Sequence, residues 1–264
     1  MKHTARSRGP WRYAFAGALF VTFGIACFAA LTRQGARVID VAVEVTPSRD
    51  GTFFIEGSDV VERLDAGPYG ALVGQSVDAL DLQALERFVE ADPFVQKADL
   101  HTDFEGRLRV SVEQATPVLR VHDRRGADYY YADDGSVLPL SKRGAARVPV
   151  LTGDVRPFAR ALADSTAAEP YVLARALAAD ELYGPLIEQI EMRDGAYTLV
   201  PKLGRTSYLL GDLTDLPGKL HRLRAFLETV TPQAGFDAYR RVDLRYDGQV
   251  VGTRRERRAP VAHP

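Results

Sequence analysis

The run Tyr13 to Leu31, YAFAGALFVTFGIACFAAL, holds nineteen consecutive residues without a charge, and no other stretch of the 264-residue chain approaches that length. A helix needs about 20 mostly apolar residues to cross the hydrocarbon core, because lipid offers its backbone groups no hydrogen-bond partners. The run therefore reads as a transmembrane helix over residues 13–31. Lys2, Arg6, Arg8 and Arg12 precede it, and Arg33 and Arg37 follow. The positive-inside bias then keeps residues 1–12 cytoplasmic and sends about 230 residues across. Cleavage is the competing reading, since the run is alanine-rich and Cys27-Phe28-Ala29 is a tolerable small-x-small site. Against it, the run is longer than the roughly 7 to 15 residues of a signal h-region. Gly24-Ile25-Ala26 before Cys27 also lacks the large aliphatic residue of a lipobox. An uncleaved signal anchor follows. Ala14 and Ala18, and Gly17 and Gly24, have spacings that let a second helix approach closely, but alanine-rich spans show such spacings by chance.

The part after this span is long enough for one large or two small domains with their own cores, and two is the division the sequence favours. Lys+Arg 34 against Asp+Glu 35 gives a net charge of -1, interspersed along the chain, which supplies no electrostatic footprint for nucleic acid. The basic cluster past the anchor is Arg254, Arg255, Arg257 and Arg258, and residues 254–264 read as a flexible, solvated basic tail. Cys27 is the single cysteine and lies inside the apolar run. An intramolecular disulfide is thereby excluded, and so is cysteine chemistry in the extracytoplasmic part.

The first unit is expected over 38–114. Val38 to Val45 is β-branched with partial alternation and reads as a strand. Ser58-Asp59 offers a cap for a short helix carrying Val60, Val61 and Leu64. After a loop with Gly67, Pro68, Gly70 and Gly74, Asp81 caps a second helix in which Leu82, Leu85, Phe88 and Val89 share a face. Pro93 ends it. Two strands follow, the first with Phe94, Ala98 and Leu100 at even spacing. The second turns Leu108, Val110 and Val112 inward and Arg107, Arg109 and Ser111 outward, and Glu105-Gly106 makes the hairpin between them. The order β-α-α-β-β gives a two-layer unit with helices on one face of a small sheet.

The second unit is expected over 115–253. Tyr129 to Leu140 reads as strand, Asp-Gly turn, strand, and Asp133 with Asp134 makes the turn, since no further ligands follow at calcium-loop spacing. Arg147 to Gly153 adds a short strand. Pro170 to Tyr183 is helical, stopped by Gly184-Pro185. Strands separated by Asp194-Gly195 and Leu203-Gly204 place Tyr197, Leu199, Tyr208 and Leu210 in a core. A long helix then carries Leu216, Leu220, Leu223, Leu227 and Val230, with Pro217 in its first turn. In the last segment, Tyr239 to Thr253, Val242, Leu244 and Tyr246 alternate with Arg241, Asp243 and Arg245. Asp247-Gly248 makes a two-residue hairpin or a bulge. The fold class is α+β: one transmembrane helix, the β-α-α-β-β unit, then a mixed, mostly antiparallel β domain with two helices.

No enzyme motif emerges. His3, His101, His122, His221 and His263 form no ligand spacing, and there is no nucleophile elbow, phosphate-cradling loop or dinucleotide fingerprint. No catalytic residue, metal, cofactor or small-molecule substrate is expected. The last segment is the candidate site. At a sheet edge it would offer unpaired N–H and C=O groups to an incoming strand. On the pattern alone, Tyr246 also reads as a core residue and Arg245 as a solvated edge charge.

The first unit resembles a POTRA domain, on Gly74 before Gln75-Ser76, on Pro93, Val95 and Ala98 of "DPFV-x-x-A", and on Leu108, Val110, Val112, Glu113 and Pro117. Three further blocks follow in order: YYYADDGSVLPL with RVPVLTG, LGD with a downstream lysine, and VDLRYDGQVVG. With the anchor they make residues 10 to 253 similar to the FtsQ/DivIB cell-division family, in the version of the Bacteroidetes-Rhodothermus type. Enteric members often carry a tryptophan where Thr253 stands here. The resemblance implies a bitopic inner-membrane divisome scaffold, enriched at the septum, that takes up FtsB-like and FtsL-like partners by strand addition. Carried onto VDLRYDGQVVG, it implies partner contacts at Arg245 and Tyr246, with Asp247, Gly248 and Gly252 nearby. It further implies that the POTRA unit contacts other divisome components. The competing classes are a POTRA protein of outer-membrane assembly or secretion, which would need a following barrel, and a periplasmic binding or hydrolytic module.

Overall fold

A computed structural model of the chain describes residues 37–155 and 165–256, with residues 165–168 described by their backbone alone. The expected span 13–31 and the tail beyond 256 lie outside these residues. No helix among the described residues is long and apolar enough to cross a membrane. The chain divides into two compact units. The first comprises residues 37–44, Gly57–Val89 and Ala98–Val112, and the second comprises Val45–Glu56, Glu90–Lys97 and everything from Glu113 onward.

The first unit forms in the expected element order: β1 (Asp40–Thr46), α1 (Gly57–Asp65), α2 (Leu82–Glu90), β2 (Val95–Thr102) and β3 (Arg107–Gln114), with sheet order β1-β3-β2. Val60 and Leu64 of α1 and Leu85 and Val89 of α2 are buried, so the 3.6-residue periodicity of each helix is spent on one face. Asp81 caps α2 as expected, its Oδ1 accepting from the Ala84 amide at 2.9 Å. β3 buries Leu108, Val110 and Val112 in strict alternation. β2 starts at Val95, leaving Phe94 ahead of the strand, and its buried residues are Val95, Ala98 and Leu100. The turn between them closes on Gly106 at φ +85°, whose amide donates to the Asp103 carbonyl at 3.1 Å.

The second unit contains β4 (Pro117–His122), β5 (Asp128–Ala132), β6 (Val137–Leu138), β7 (Val150–Gly153), α3 (Ser165–Ala178), α4 (Tyr183–Leu186), β8 (Ile187–Arg193), β9 (Ala196–Pro201) and β10 (Ser207–Gly211). It continues through α5 (Leu216–Thr229), α6 (Thr231–Ala234), β11 (Tyr239–Asp243) and β12 (Val251–Arg254). Its strands join one sheet in the order β12-β11-β10-β9-β8-β7-β4-β5-β6. Pairing is mixed: β4 with β7, β7 with β8 and β10 with β11 run parallel, and the other neighbours run antiparallel. Parallel neighbours need crossover connections, and α3 and α5 lie in two of them. The core gathers Leu119, Val121, Leu151, Ile190, Leu199 and Tyr208 from the sheet with Leu173, Leu177 and Leu223 from the helices.

Three sequence expectations are corrected here. β4 was not anticipated. α3 begins at Ser165 and carries Pro170 inside it, five residues into a helix expected to start there. Gly184-Pro185, expected only as a stop, sits within the single turn of α4, and a second single turn, α6, follows α5, so the described residues of the unit hold two long and two one-turn helices.

Candidate partner-binding site

The site is the β12 end of the large sheet. β10 buries Tyr208 and Leu210, with exposures of 1% and 0%, and burial pushes the Tyr208 hydroxyl up to about 12. β11 lies parallel to it with Tyr208 opposite Val242, and the Leu244 amide extends the ladder to the Leu209 carbonyl at 2.9 Å. β12 returns antiparallel, pairing Asp243 with Val251, Val242 with Gly252 and Arg241 with Thr253. It is the last strand of the sheet, and all four of its residues are exposed.

The connection from β11 to β12 spans residues 244–250, so Asp247-Gly248 is neither a two-residue hairpin nor a bulge but the tip of a seven-residue loop. Gly248 sits there at φ +67°, a conformation an L side chain resists. α5 holds the loop from behind. Arg222, its side chain only 13% exposed, donates to the Leu244 carbonyl at 3.2 Å and approaches Asp247 Oδ1 at 3.4 Å and Asp215 Oδ2 at 3.5 Å. One turn earlier, the buried Lys219 donates to the backbone carbonyl and to Oδ1 of Asp212, both at 2.8 Å, and this ammonium holds the Asp212 carboxyl below its ordinary range. The lysine downstream of LGD therefore pins the exit of β10 to the start of α5.

Arg245 is held by its own strand. Its Nε and Nη2 donate to Asp243 Oδ1 at 3.0 Å and Oδ2 at 2.7 Å, and its amide donates to Oδ1 at 3.1 Å. This bidentate clamp lowers the Asp243 pKa and raises that of Arg245. The aliphatic part of Arg245 lies over Gly211, where a Cβ would stand 2.8 Å from Arg245 Cδ. Tyr246 is 47% exposed, with the Arg245 guanidinium 6.0 Å from its ring centre.

The alternation expected for this segment holds at Val242 and Leu244, both fully buried, and fails at Asp243 and at Tyr246. Tyr246 is not a core residue, because the strand ends at Asp243. Asp243, expected on the charged outer face, is buried at 7% beneath Arg245. Of the five residues singled out, Arg245, Tyr246, Asp247 and Gly248 share the loop. Gly252 lies on β12, where a Cβ would come within 2.6 Å of the Tyr239 ring. Asp243 and Gly211, which lie in the VDLRYDGQVVG and LGD blocks but are not among those five, carry the geometry with Arg222, which no sequence signal marks. Among the described residues, no three His, Cys, Asp or Glu side chains converge to hold a metal ion.

Residues 116–253 match the family model described as FtsQ/DivIB, C-terminal related. That is 138 of 264 residues, more than half of the chain. The chain belongs to the FtsQ/DivIB C-terminal related family. The FtsQ/DivIB match begins one residue before β4 and ends at the third residue of β12, so it takes in the large sheet up to Thr253 and the loop just described. Over 171 residues the chain is also 32% identical to the cell division protein FtsQ of Salinibacter ruber, covering 62% of this chain and 66% of that one, just under two thirds of the relative.

Proposed function

We propose that this protein is a bitopic inner-membrane scaffold of the cell-division machinery that supports septum formation and receives its partners on β12 and the 244–250 loop. The observation that carries the reading is the free outer edge of β12 in a sheet whose match to the division family runs through it. An exposed edge strand has backbone donors and acceptors facing solvent, and a strand added there gains main-chain hydrogen bonds. Arg255 N donates inward to the Ala238 carbonyl at 3.0 Å, so strand alternation turns the amides of Gly252 and Arg254 outward. Arg245 and Tyr246 lie in the loop that leads into β12, two residue types enriched at binding hot spots. The bound strand belongs to an FtsB-like protein paired with an FtsL-like one.

The rest of the chain fits the same role. Residues 13–31 anchor it with the N-terminus cytoplasmic and the bulk periplasmic, the POTRA-type unit contacts other divisome proteins, and the protein concentrates at the septum. Anchoring raises the effective concentration of weak edge contacts. No catalytic step belongs to this reading. The test is co-purification of the full-length chain with its FtsB-like and FtsL-like neighbours, comparing wild type with Arg245→Glu and Tyr246→Ala, and with circular dichroism to check folding. Binding by wild type and loss in folded variants supports the site. Equal binding by folded variants removes it, and failure of wild type to bind at low salt removes the partner assignment.

A further inference from the structure

The first unit exposes three large apolar side chains among its described residues: Phe104 at 105%, Val73 at 59% and Ile39 at 57%. Single exposed apolar residues need no explanation, but these three lie on segments that backbone hydrogen bonds bring together at one end. The Ile39 amide donates to the Gly106 carbonyl at 3.0 Å, which sets the entry to β1 beside the 103–106 turn that carries Phe104. On the other side, the Val38 carbonyl accepts from Gly74 at 2.7 Å and the Val38 amide donates to Gln75 at 2.9 Å, bringing in Val73. Arg37 reinforces the junction, its Nη1 donating to the Gly74 carbonyl at 2.7 Å.

Arg37 is also where the described chain begins, six Cα steps beyond Leu31. Six steps reach at most about 22 Å however residues 32–36 are arranged. If residues 13–31 span the bilayer, the end bearing Phe104, Ile39 and Val73 cannot leave the neighbourhood of the lipid surface. Of the acidic groups nearby, Glu105 is exposed beside Phe104, where its carboxylate can stay in the headgroup water, and Asp103 and Asp40 are engaged. Asp103 accepts from the Glu105 and Arg107 amides at 3.0 Å each and pairs with Arg109 at 3.3 Å, and Asp40 pairs with Arg107 at 3.4 Å. An aromatic side chain at full exposure, flanked by aliphatic ones and tethered at this distance, has the composition of an interfacial contact.

We infer that this end of the first unit rests on the outer lipid surface of the membrane that anchors the chain, with Phe104 inserted among the headgroups and Ile39 and Val73 beside it. The inference rests on the membrane-anchored reading proposed above and adds a second, non-covalent attachment to the same bilayer. It makes the unit a stand on the membrane rather than a body swinging on a linker.

The test uses the full-length chain with Cys27→Ser, carrying an environment-sensitive fluorophore on a single cysteine at Phe104→Cys or, as control, at the exposed Arg87→Cys, in phosphatidylcholine vesicles. Resistance to alkaline extraction reports the anchor. The expected result is resistance to extraction, with emission from position 104 shifted to the blue and quenched by brominated lipid. Bromines high on the acyl chain should quench more than bromines near the bilayer centre, with position 87 unaffected. Resistance to extraction with positions 104 and 87 behaving alike overturns the lipid contact and leaves the anchor standing. A shift at 104 that appears only on adding a second protein overturns it in favour of a protein partner. Extraction of the chain by alkali overturns the anchor, and the inference falls with it.

Discussion

The clamp of Arg245 on Asp243 decides what the loop presents. With both carboxylate oxygens and the Arg245 amide engaged, the guanidinium is oriented before any partner arrives. A pre-oriented side chain loses less freedom on binding than a loose one. Asp243→Asn removes the charge and is expected to cost about 1 kcal/mol in a urea titration, the value for a hydrogen bond to a charged group discounted because Arg245 is half exposed. The folded-state pKa of Asp243 is depressed below its ordinary 3.8. Its contribution is therefore fully present above the ordinary carboxylate range and is lost as the pH falls below it. Because the clamp breaks only when folded Asp243 protonates, partner affinity measured as the pH falls should hold through the ordinary carboxylate range and drop only below it, and that drop should be smaller in Asp243→Asn. Gly211→Ala is the steric counterpart. It forces a side chain onto φ +70° and sets its Cβ 2.8 Å from Arg245 Cδ, so stability should fall by about 1 kcal/mol and the Arg245 clamp should be displaced. None of this was legible in the sequence. Asp243 stands at an outward position of an alternating strand, and only the return of Arg245 across it, two residues later, buries it.

At the scale of elements, local rules worked wherever one element decides its own outcome. The α2 cap at Asp81, the alternation of Leu108, Val110 and Val112, and the burial of Tyr197, Leu199, Tyr208 and Leu210 all follow from spacing. Asp81→Ala should cost about 1 kcal/mol in thermal or urea unfolding, through the lost Ala84 bond. What spacing could not give was strand order, because the parallel pairing of β10 with β11 depends on how the α5 crossover packs. Pro170 reads as a helix start by local preference, yet α3 begins before it. In the proposed reading, β12 is the element that receives the partner. Arg254→Pro removes an outward amide from an edge strand, where proline is tolerated, while the inward bond from Arg255 remains available. It should leave the melting temperature close to wild type and abolish capture of the FtsB-like partner, whereas an interface made by side chains alone would survive it.

At the scale of the whole molecule, the proposed function joins a membrane anchor to a small α/β unit and a large mixed sheet in which β12 is the last strand among the described residues. The single cysteine lies in the apolar run 13–31, so the two units hold no disulfide of their own and depend on their cores, and reductant should leave their unfolding transition unchanged. The claim at the centre is strand addition at β12, and backbone hydrogen exchange reads it directly. In the free full-length protein the amides of Gly252 and Arg254 should exchange quickly, and in the complex with the FtsB-like and FtsL-like proteins they should become protected, with the inward amides of Val251 and Thr253 changing less. Protection confined to other surfaces, with Gly252 and Arg254 exchanging as fast in the complex as in the free protein, would contradict it.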